Sequence, residues 1–168
     1  TANLPVKIGG EVRGVNFTEI LDRKLVKRYD RFVQYGLVST KEAVTDSGLN
    51  FETENTDRFG VYFGSGIGGL ETIAAEEDKG QEKGFDRLSP FFIPGAIINI
   101  AAGQIAIDHG ITGIVTATVT ACASATNSIG EAFRAIRDGY LDGAIAGGSE
   151  ASLIPLGMGG FYVMQALN

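Results

Sequence analysis

The sequence predicts an α/β fold with a mostly parallel sheet, and three observations point there. Short apolar runs rich in β-branched and aromatic residues, Phe59 to Phe63, Ile114 to Thr120 and Gly143 to Gly147, read as strands. Longer segments with apolar residues at helical spacing lie around them. The connections are short and glycine-bearing, so helix and strand alternate along one chain, the pattern of a parallel sheet covered by helices. No internal repeat interrupts that order. The chain has 168 residues, the size of one domain, with 44% hydrophobic and 20% charged residues, an ordinary globular balance.

Taken in order, residues 1–20 carry Pro5, Gly9, Gly10 and Gly14 among short apolar runs and read as surface loop, with one strand around Val6 to Val12. Asp22 to Arg28 (DRKLVKR) is a compact basic cluster, by default a solvated face leading into a helix. A long helix follows from Asp30 to Ser47, with Phe32, Val33, Gly36, Leu37, Thr40, Ala43 and Val44 on its core face and Gly48 as its stop. After the strand at Phe59, Gly64 to Gly69 fits G-x-G-x-x-G and precedes a helix from Leu70 to Lys79, the context of a dinucleotide fingerprint. The acidic residue expected roughly 20 residues on, at the end of a second strand, is missing, because Asp86 falls in a loop. The glycines read better as a place where backbone closely approaches a neighbouring segment. Gly80 to Leu88 reads as a polar, mobile connection. Ser89-Pro90 and Ile93-Pro94 punctuate the entry to an apolar helix from Ala96 to Asp108, closed by Gly110 and apolar all round, as for a helix buried between layers. His109 at its end reads as an exposed or dipole-compensating residue rather than a base.

The second half of the chain centres on Cys122. Ile114 to Thr120 is β-branched except for Ala117, which suits a strand buried on both faces. Ala121 to Ala125 breaks that run with small residues. A helix begins at Thr126 or Asn127, with Ile129, Phe133 and Ile136 at helical spacing while Glu131, Arg134 and Arg137 point elsewhere, and Gly139 ends it. With the strand at Gly143 the unit is βαβ, its two strands parallel. The single cysteine of the chain therefore sits where a strand's carboxyl end meets a helix's amino end. Unpaired N–H groups and the positive end of the helix dipole there favour a thiolate and can receive a developing oxyanion. On position alone, a small, buried, unreactive cysteine is an equal reading.

The residues around it carry more. Thr118 to Ala125 (TVTACASA) resembles the nucleophile motif of the β-ketoacyl-acyl-carrier-protein synthases, condensing enzymes of the thiolase-like superfamily. Ala144 to Ala151 (AIAGGSEA), with Pro155-Leu156-Gly157 and Gly160-Phe161 behind it, is similar to the segment that follows the nucleophile in that family. Gly64 to Leu70 and Ser89 to Pro94 are similar to two segments that precede it. The subgroup most resembled is the type II elongating synthase of dissociated fatty-acid synthesis.

That resemblance implies a thiolase-like layered α-β-α fold of two pseudo-repeated halves, of which residues 1–168 form largely the first, amino-terminal half without its opening strand. It implies a decarboxylating Claisen condensation. Cys122 would be the nucleophile, its own N–H one oxyanion donor, and malonyl-acyl-carrier protein the source of the attacking carbanion. By the same resemblance Ile67 and Phe161 line the acyl channel, and Phe92 reaches the acyl pocket of a second subunit. Lys24, Lys27 and Arg28 match positions that dock the acidic acyl carrier protein, and a homodimer forms through Ile114 to Thr120, which requires that strand to lie at a sheet edge. No cofactor and no metal are implied. The two histidines and the lysine that serve decarboxylation in the family belong to the second half. Ala125 stands where the family usually has glycine, adding a methyl near the nucleophile. Chain-length factors resemble these synthases but lack the cysteine. Two other classes stay open: a Cys-His hydrolase with His109 as its base, and a non-catalytic scaffold or dimerisation module with an inert Cys122.

Composition excludes several functions. With 14 Lys plus Arg against 20 Asp plus Glu, the net charge of −6 gives nucleic-acid binding no electrostatic footing. One histidine and one cysteine are too few for a zinc site, and a lone cysteine forms no internal disulfide and fits a reducing, cytoplasmic setting. The most apolar stretch, Ile93 to Ile107, is interrupted by Pro94, Gly95, Asn99, Gly103 and Gln104 and is too short to span a bilayer, and no signal peptide is read at the start. Neither Thr1 nor Asn168 reads as a natural terminus, so a piece of a longer protein is expected.

Overall fold

The computed structural model describes residues 4–167, so Thr1 and Asn168 lie outside the described residues. Helices α1 (Phe17–Ile20) and α2 (Arg23–Arg28) lead into α3 (Arg31–Ser47). An aspartate starts each of the last two: Asp22 accepts the Lys24 N–H, and Asp30 accepts the Phe32 N–H. Gly48, at φ 70°, closes α3 as expected. The chain continues through β1 (Phe59–Gly64), α4 (Leu70–Lys83), α5 (Phe92–Ala96), α6 (Ile100–His109), β2 (Val115–Thr116), α7 (Ser124–Arg137), β3 (Gly143–Gly148) and α8 (Pro155–Val163).

The three strands form one parallel sheet in the order β2-β1-β3, with Val61 opposite both Val115 and Ile145. Strand β1 is central and buried throughout. Its alternate side chains feed two layers. Phe59, Val61 and Phe63 pack with Phe32, Val33 and Leu37 of α3 and Ala101, Ala102 and Ile105 of α6. Tyr62 packs on the opposite face with Ala132 and Ala135 of α7 and Leu141. Helices thus cover both faces, the α-β-α layering that the sequence implied. Asp30, 3% exposed, ties three elements together: besides capping α3 it accepts the Thr72 N–H of α4 at 2.8 Å, and its own N–H donates to the Gly95 carbonyl of α5 at 3.2 Å. At the other end of β1, Arg58 donates to the Asp142 carboxylate and to the carbonyls of Gly139 and Tyr140, fastening the α7–β3 corner and holding the Asp142 carboxyl below its usual range.

Several expectations are corrected. Among the described residues, Val6 to Val12 forms no strand. The core face of α3 ends at Thr40; Ala43 is exposed and Val44 only half-buried, because the last turns of α3 run past the layer they pack on. Helix α4 continues to Lys83, and Gly80 is buried because the Phe85 ring closes over it, 2.6 Å from where a Cβ would stand. The stretch from Gly80 to Leu88 is therefore a helix end and a 3₁₀ turn. Glu76 accepts the Ser89 N–H at 2.7 Å, a bond that draws its carboxyl below the usual range. The expected single helix from Ala96 to Asp108 is two helices, since Ile97 is extended (φ −66°, ψ 143°) and α6 restarts after Asn99. Nor is it buried all round, for Ile93, Ile97 and Ile107 are exposed. Strand β2 pairs with one neighbour only, and Val115 is 41% exposed, so the run from Ile114 is an edge rather than a doubly buried strand. Helix α7 begins at Ser124 and turns Ser124, Ser128, Ala132 and Ala135 to the sheet, leaving Ile129, Phe133 and Ile136 facing out. No helix among the described residues is long and apolar enough to cross a membrane.

Two stability predictions follow from this packing. Phe32 is fully buried, so Phe32→Ala should cost about 3–5 kcal/mol, read as a fall in the urea midpoint. His109, at the end of α6 with its ring centroid 5.4 Å from that of Phe51, is held below the usual imidazole range chiefly by burial. The unfolded chain therefore takes up the proton first, and the neutral ring's contribution, complete above about pH 6.5, is lost as pH falls from there through the folded-state value. His109→Gln should remove that decline in urea titrations run from neutral to mildly acidic pH.

Candidate active site

The geometry around Cys122 begins with backbone. Thr120 leaves the extended region (φ −135°, ψ 44°), Ala121 then takes the left-handed region at φ 50°, and residues Ala121–Ala123 make a 3₁₀ turn that runs straight into α7. A residue with a Cβ costs roughly 1–2 kcal/mol in that conformation, so something must hold it. Ser124 does: buried at 3% exposure, its Oγ accepts the Thr120 N–H at 2.9 Å and donates to the Ala121 carbonyl at 2.7 Å. Asn127 adds a bond from Nδ2 to Thr120 Oγ1. The result is a sharp junction with Cys122 exposed at its crest.

The junction lies against the carboxyl ends of β1 and β3. A Cβ on Gly64 would overlap the Thr118 carbonyl and stand 2.9 Å from Ser124 Cβ, so only glycine lets the turn come this close. Beyond Gly64, the loop 65–69 passes beside Ala121, and its amides are engaged. The Gly66 and Ile67 N–H groups donate to Glu150 Oε2 at 3.0 and 2.8 Å, and Ser65 Oγ donates to the same oxygen at 3.3 Å. In a dinucleotide site such amides face a pyrophosphate; here the protein's own carboxylate takes that place. The expectation of a close backbone approach describes this loop better than the fingerprint does.

Cys122, Ile67, Phe161, Ala125, Gly148 and Glu150 border one cavity of about 390 Å³. The structure thus brings Cys122, Ile67 and Phe161 together, and the Ala125 methyl is part of the wall. Phe92 is elsewhere. It borders a groove of about 550 Å³ with Ile67, Ile73, Ile93, Ala117 and Val119, beside the β2 edge. Ile67 borders both spaces. Lys24, Lys27 and Arg28 lie on α2, exposed and away from the cavity. The Arg28 guanidinium sits 4.4 Å above the Phe91 ring, which joins the basic cluster to the Phe91–Phe92 segment. His109 is remote. It stands with Phe51 at the Phe59 end of β1, whereas Cys122 is at the Gly64 end, a strand length of roughly 17 Å away. That distance removes His109 as a base for Cys122. No group of three or more potential metal ligands occurs among the described residues.

Sequence reasoning missed Ser124 and Glu150 as builders of this site. Glycine-loop amides at the end of a parallel strand call for an anion, and Glu150, at the end of the adjacent strand, was the signal available.

The family described as β-ketoacyl synthase, N-terminal domain, matches residues 2–168. The chain is 44% identical over 163 residues to 3-oxoacyl-[acyl-carrier-protein] synthase 2 of Staphylococcus aureus, covering 97% of this chain and 40% of that protein. To the protein of the same name from Synechocystis sp. (strain ATCC 27184 / PCC 6803 / Kazusa) it is 42% identical over 162 residues, covering 96% of this chain and 39% of that one. The chain thus spans about two fifths of the length of these curated relatives. In fold it is similar to a chain from the complex of a type II PKS acyl-carrier protein with its ketosynthase bound to the hexaketide, at a TM-score of 0.83 and 23% identity over 89% of this chain and 43% of that one.

The Ser124 clamp yields a prediction. Ser124→Ala leaves the Thr120 N–H and the Ala121 carbonyl without their partner and should lower stability by about 1–3 kcal/mol. Asn127→Ala, at an exposed bond, should cost under about 0.5 kcal/mol. Urea midpoints of the two variants test the contrast.

Proposed function

Because the chain belongs to the β-ketoacyl synthase family, we propose that it supplies the amino-terminal, nucleophile-bearing half of a 3-oxoacyl-acyl-carrier-protein synthase that elongates fatty acids in the cytoplasm. The observation that carries this reading is the exposed Cys122 at a left-handed junction, opening on a cavity walled by Ile67 and Phe161. An apolar wall beside a nucleophile suits an acyl chain.

The chemistry divides into two transfers. The Cys122 thiolate attacks the thioester carbon of an acyl-carrier protein, the new C–S bond forms, and the carbonyl oxygen takes the negative charge. The Cys122 N–H, at the amino end of α7, receives that oxygen. Collapse expels the carrier thiolate, which takes up a proton in place of the one Cys122 gave up. Malonyl-carrier protein then binds, its C–C bond to the carboxylate breaks as carbon dioxide leaves, and the resulting carbanion attacks the acyl-cysteine carbon. A new C–C bond forms and Cys122 departs as thiolate. The residues that would serve decarboxylation, and a second oxyanion donor, are assigned to the other half of the protein.

Lys24, Lys27 and Arg28 form a local positive patch on a chain of net negative charge, which suits an acidic carrier protein. Strand β2, only Val115–Thr116 of the run expected from Ile114 to Thr120, lies at the sheet edge, which suits a homodimer through that segment, and Phe92 lies in the groove beside it, where it would approach a second subunit. The outward stripe of Ile129, Phe133 and Ile136 suits cover by the second half.

The test is intact mass of the full-length protein after incubation with an acyl-carrier thioester, followed by mapping of the modified peptide. One acyl adduct on Cys122, absent from Cys122→Ala, is the expected result. A full-length protein that stays unmodified would make the synthase reading wrong and leave a scaffold of the same fold.

A further inference from the structure

We propose that Glu150 is a positioning residue that sets acyl-chain length by holding Ile67 as the partition between the Cys122 cavity and the groove beside β2; the inference rests on the reading of that cavity as an acyl site. Glu150 comes from the end of β3, yet its Oε2 collects three donors from residues 83–85 positions earlier: Ser65 Oγ, Gly66 N–H and Ile67 N–H. The hydrogen-bond directions are self-consistent. Ser65 Oγ gives its proton to Glu150 and accepts the Gly68 N–H at 3.2 Å, so the donors at positions 65–68 that face inward each have an acceptor. Bonds to an ionised carboxylate are the stronger kind.

The base of the loop is held by other bonds, the Gly69 N–H to the Ala96 carbonyl and the Ser149 N–H to the Gly64 carbonyl, whereas the Gly66 and Ile67 amides at its tip donate to Glu150. A Cβ on Gly66 would stand 3.2 Å from Glu150 Oε2 and 3.3 Å from the Ala121 carbonyl, so the loop is seated between the carboxylate and the nucleophile junction. Ile67 at its tip, 38% exposed, is the side chain common to the cavity of about 390 Å³ and the groove of about 550 Å³. With the carboxylate gone, the Gly66 and Ile67 amides seek water, the tip leaves its seat, and the two apolar spaces join. Longer acyl chains then gain room that the parent protein denies them. Glu150 touches no reacting atom in this account; it acts through Ile67.

The experiment uses the full-length protein and its Glu150→Gln, Glu150→Ala and Ile67→Ala variants, with Glu150→Gln keeping the side-chain size in case Glu150→Ala folds poorly. Two readouts are taken: deuterium uptake by the peptide spanning residues 64–69, and the rates of Cys122 acylation by carrier thioesters of a short and a long saturated chain. Faster uptake in the Glu150 variants, with a long-to-short loading ratio raised about tenfold, is expected, tenfold being the lower end of what a misfit methylene costs in an apolar pocket. In an Ile67→Ala background the Glu150 change should add nothing to the ratio. Unchanged uptake would overturn the clasp. Faster uptake with an unchanged ratio, or an equal loss for both chain lengths, would overturn the length-setting role and leave a merely structural one. A parent protein that loads neither thioester overturns the proposed function and takes this inference with it, whereas a parent that loads both while the variants keep its ratio overturns this inference alone.

Discussion

Backbone meeting backbone at the carboxyl end of β1 is the contact on which the site depends. Gly64 has no side chain to keep the Thr118–Ser124 segment away, so that segment turns over directly against the strand. Once it is that close, the chain must reverse within a residue or two, and Ala121 takes a left-handed conformation to do so. Ser124 then has the geometry to bind both sides of the kink, and Cys122 is left at the crest with the start of α7 behind it. Strand burial, junction, clamp and exposure are consecutive results of one close approach.

The same principle governs α7. Its inner face is Ser124, Ser128, Ala132 and Ala135, a row of small side chains that lets the helix lie low on the sheet. Ser128 fits that row by size, since its buried Oγ has no hydrogen-bond partner among the described residues. The larger apolar residues are displaced to the outer face, which gives one helix two apolar sides. On the opposite layer the contacts are of the ordinary kind, large side chains of α3 and α6 interlocked with Phe59, Val61 and Phe63. The sheet is thus packed tightly by backbone proximity on the side that carries the site and by side-chain volume on the other.

This division explains what the sequence made legible. Strands at Phe59 and Gly143, the long helix stopped by Gly48 and the cysteine at a strand–helix junction were all readable, because alternation, helical spacing and glycine stops are local signals. Cys122, Ile67 and Phe161 were grouped by a family resemblance, and they do share a cavity. Which face of α7 is inside was not readable. Spacing marks Ile129, Phe133 and Ile136 as a stripe but cannot say that the sheet opposite presents Tyr62, Ala144 and Ala146, against which the small Ala132 and Ala135 pack. The break at Ile97 was hidden because Ile97 and its immediate neighbours Ala96 and Ile98 are apolar and carry no stop signal of their own. Glu150 was hidden for a different reason: its partners are more than 80 residues away, and neither segment alone records the pairing.

The close approach at Gly64 also decides where this protein can be redesigned. A side chain there would have to push apart two main chains, each pinned by its own hydrogen bonds, and the spacing of the walls is therefore fixed. Ile67 and Phe161 present side chains to the cavity, whereas Ala125 is wedged against Gly148 of β3 and shares the constraint. Engineering latitude lies with those two: the volume of the chamber can be edited at its side chains, while its frame cannot.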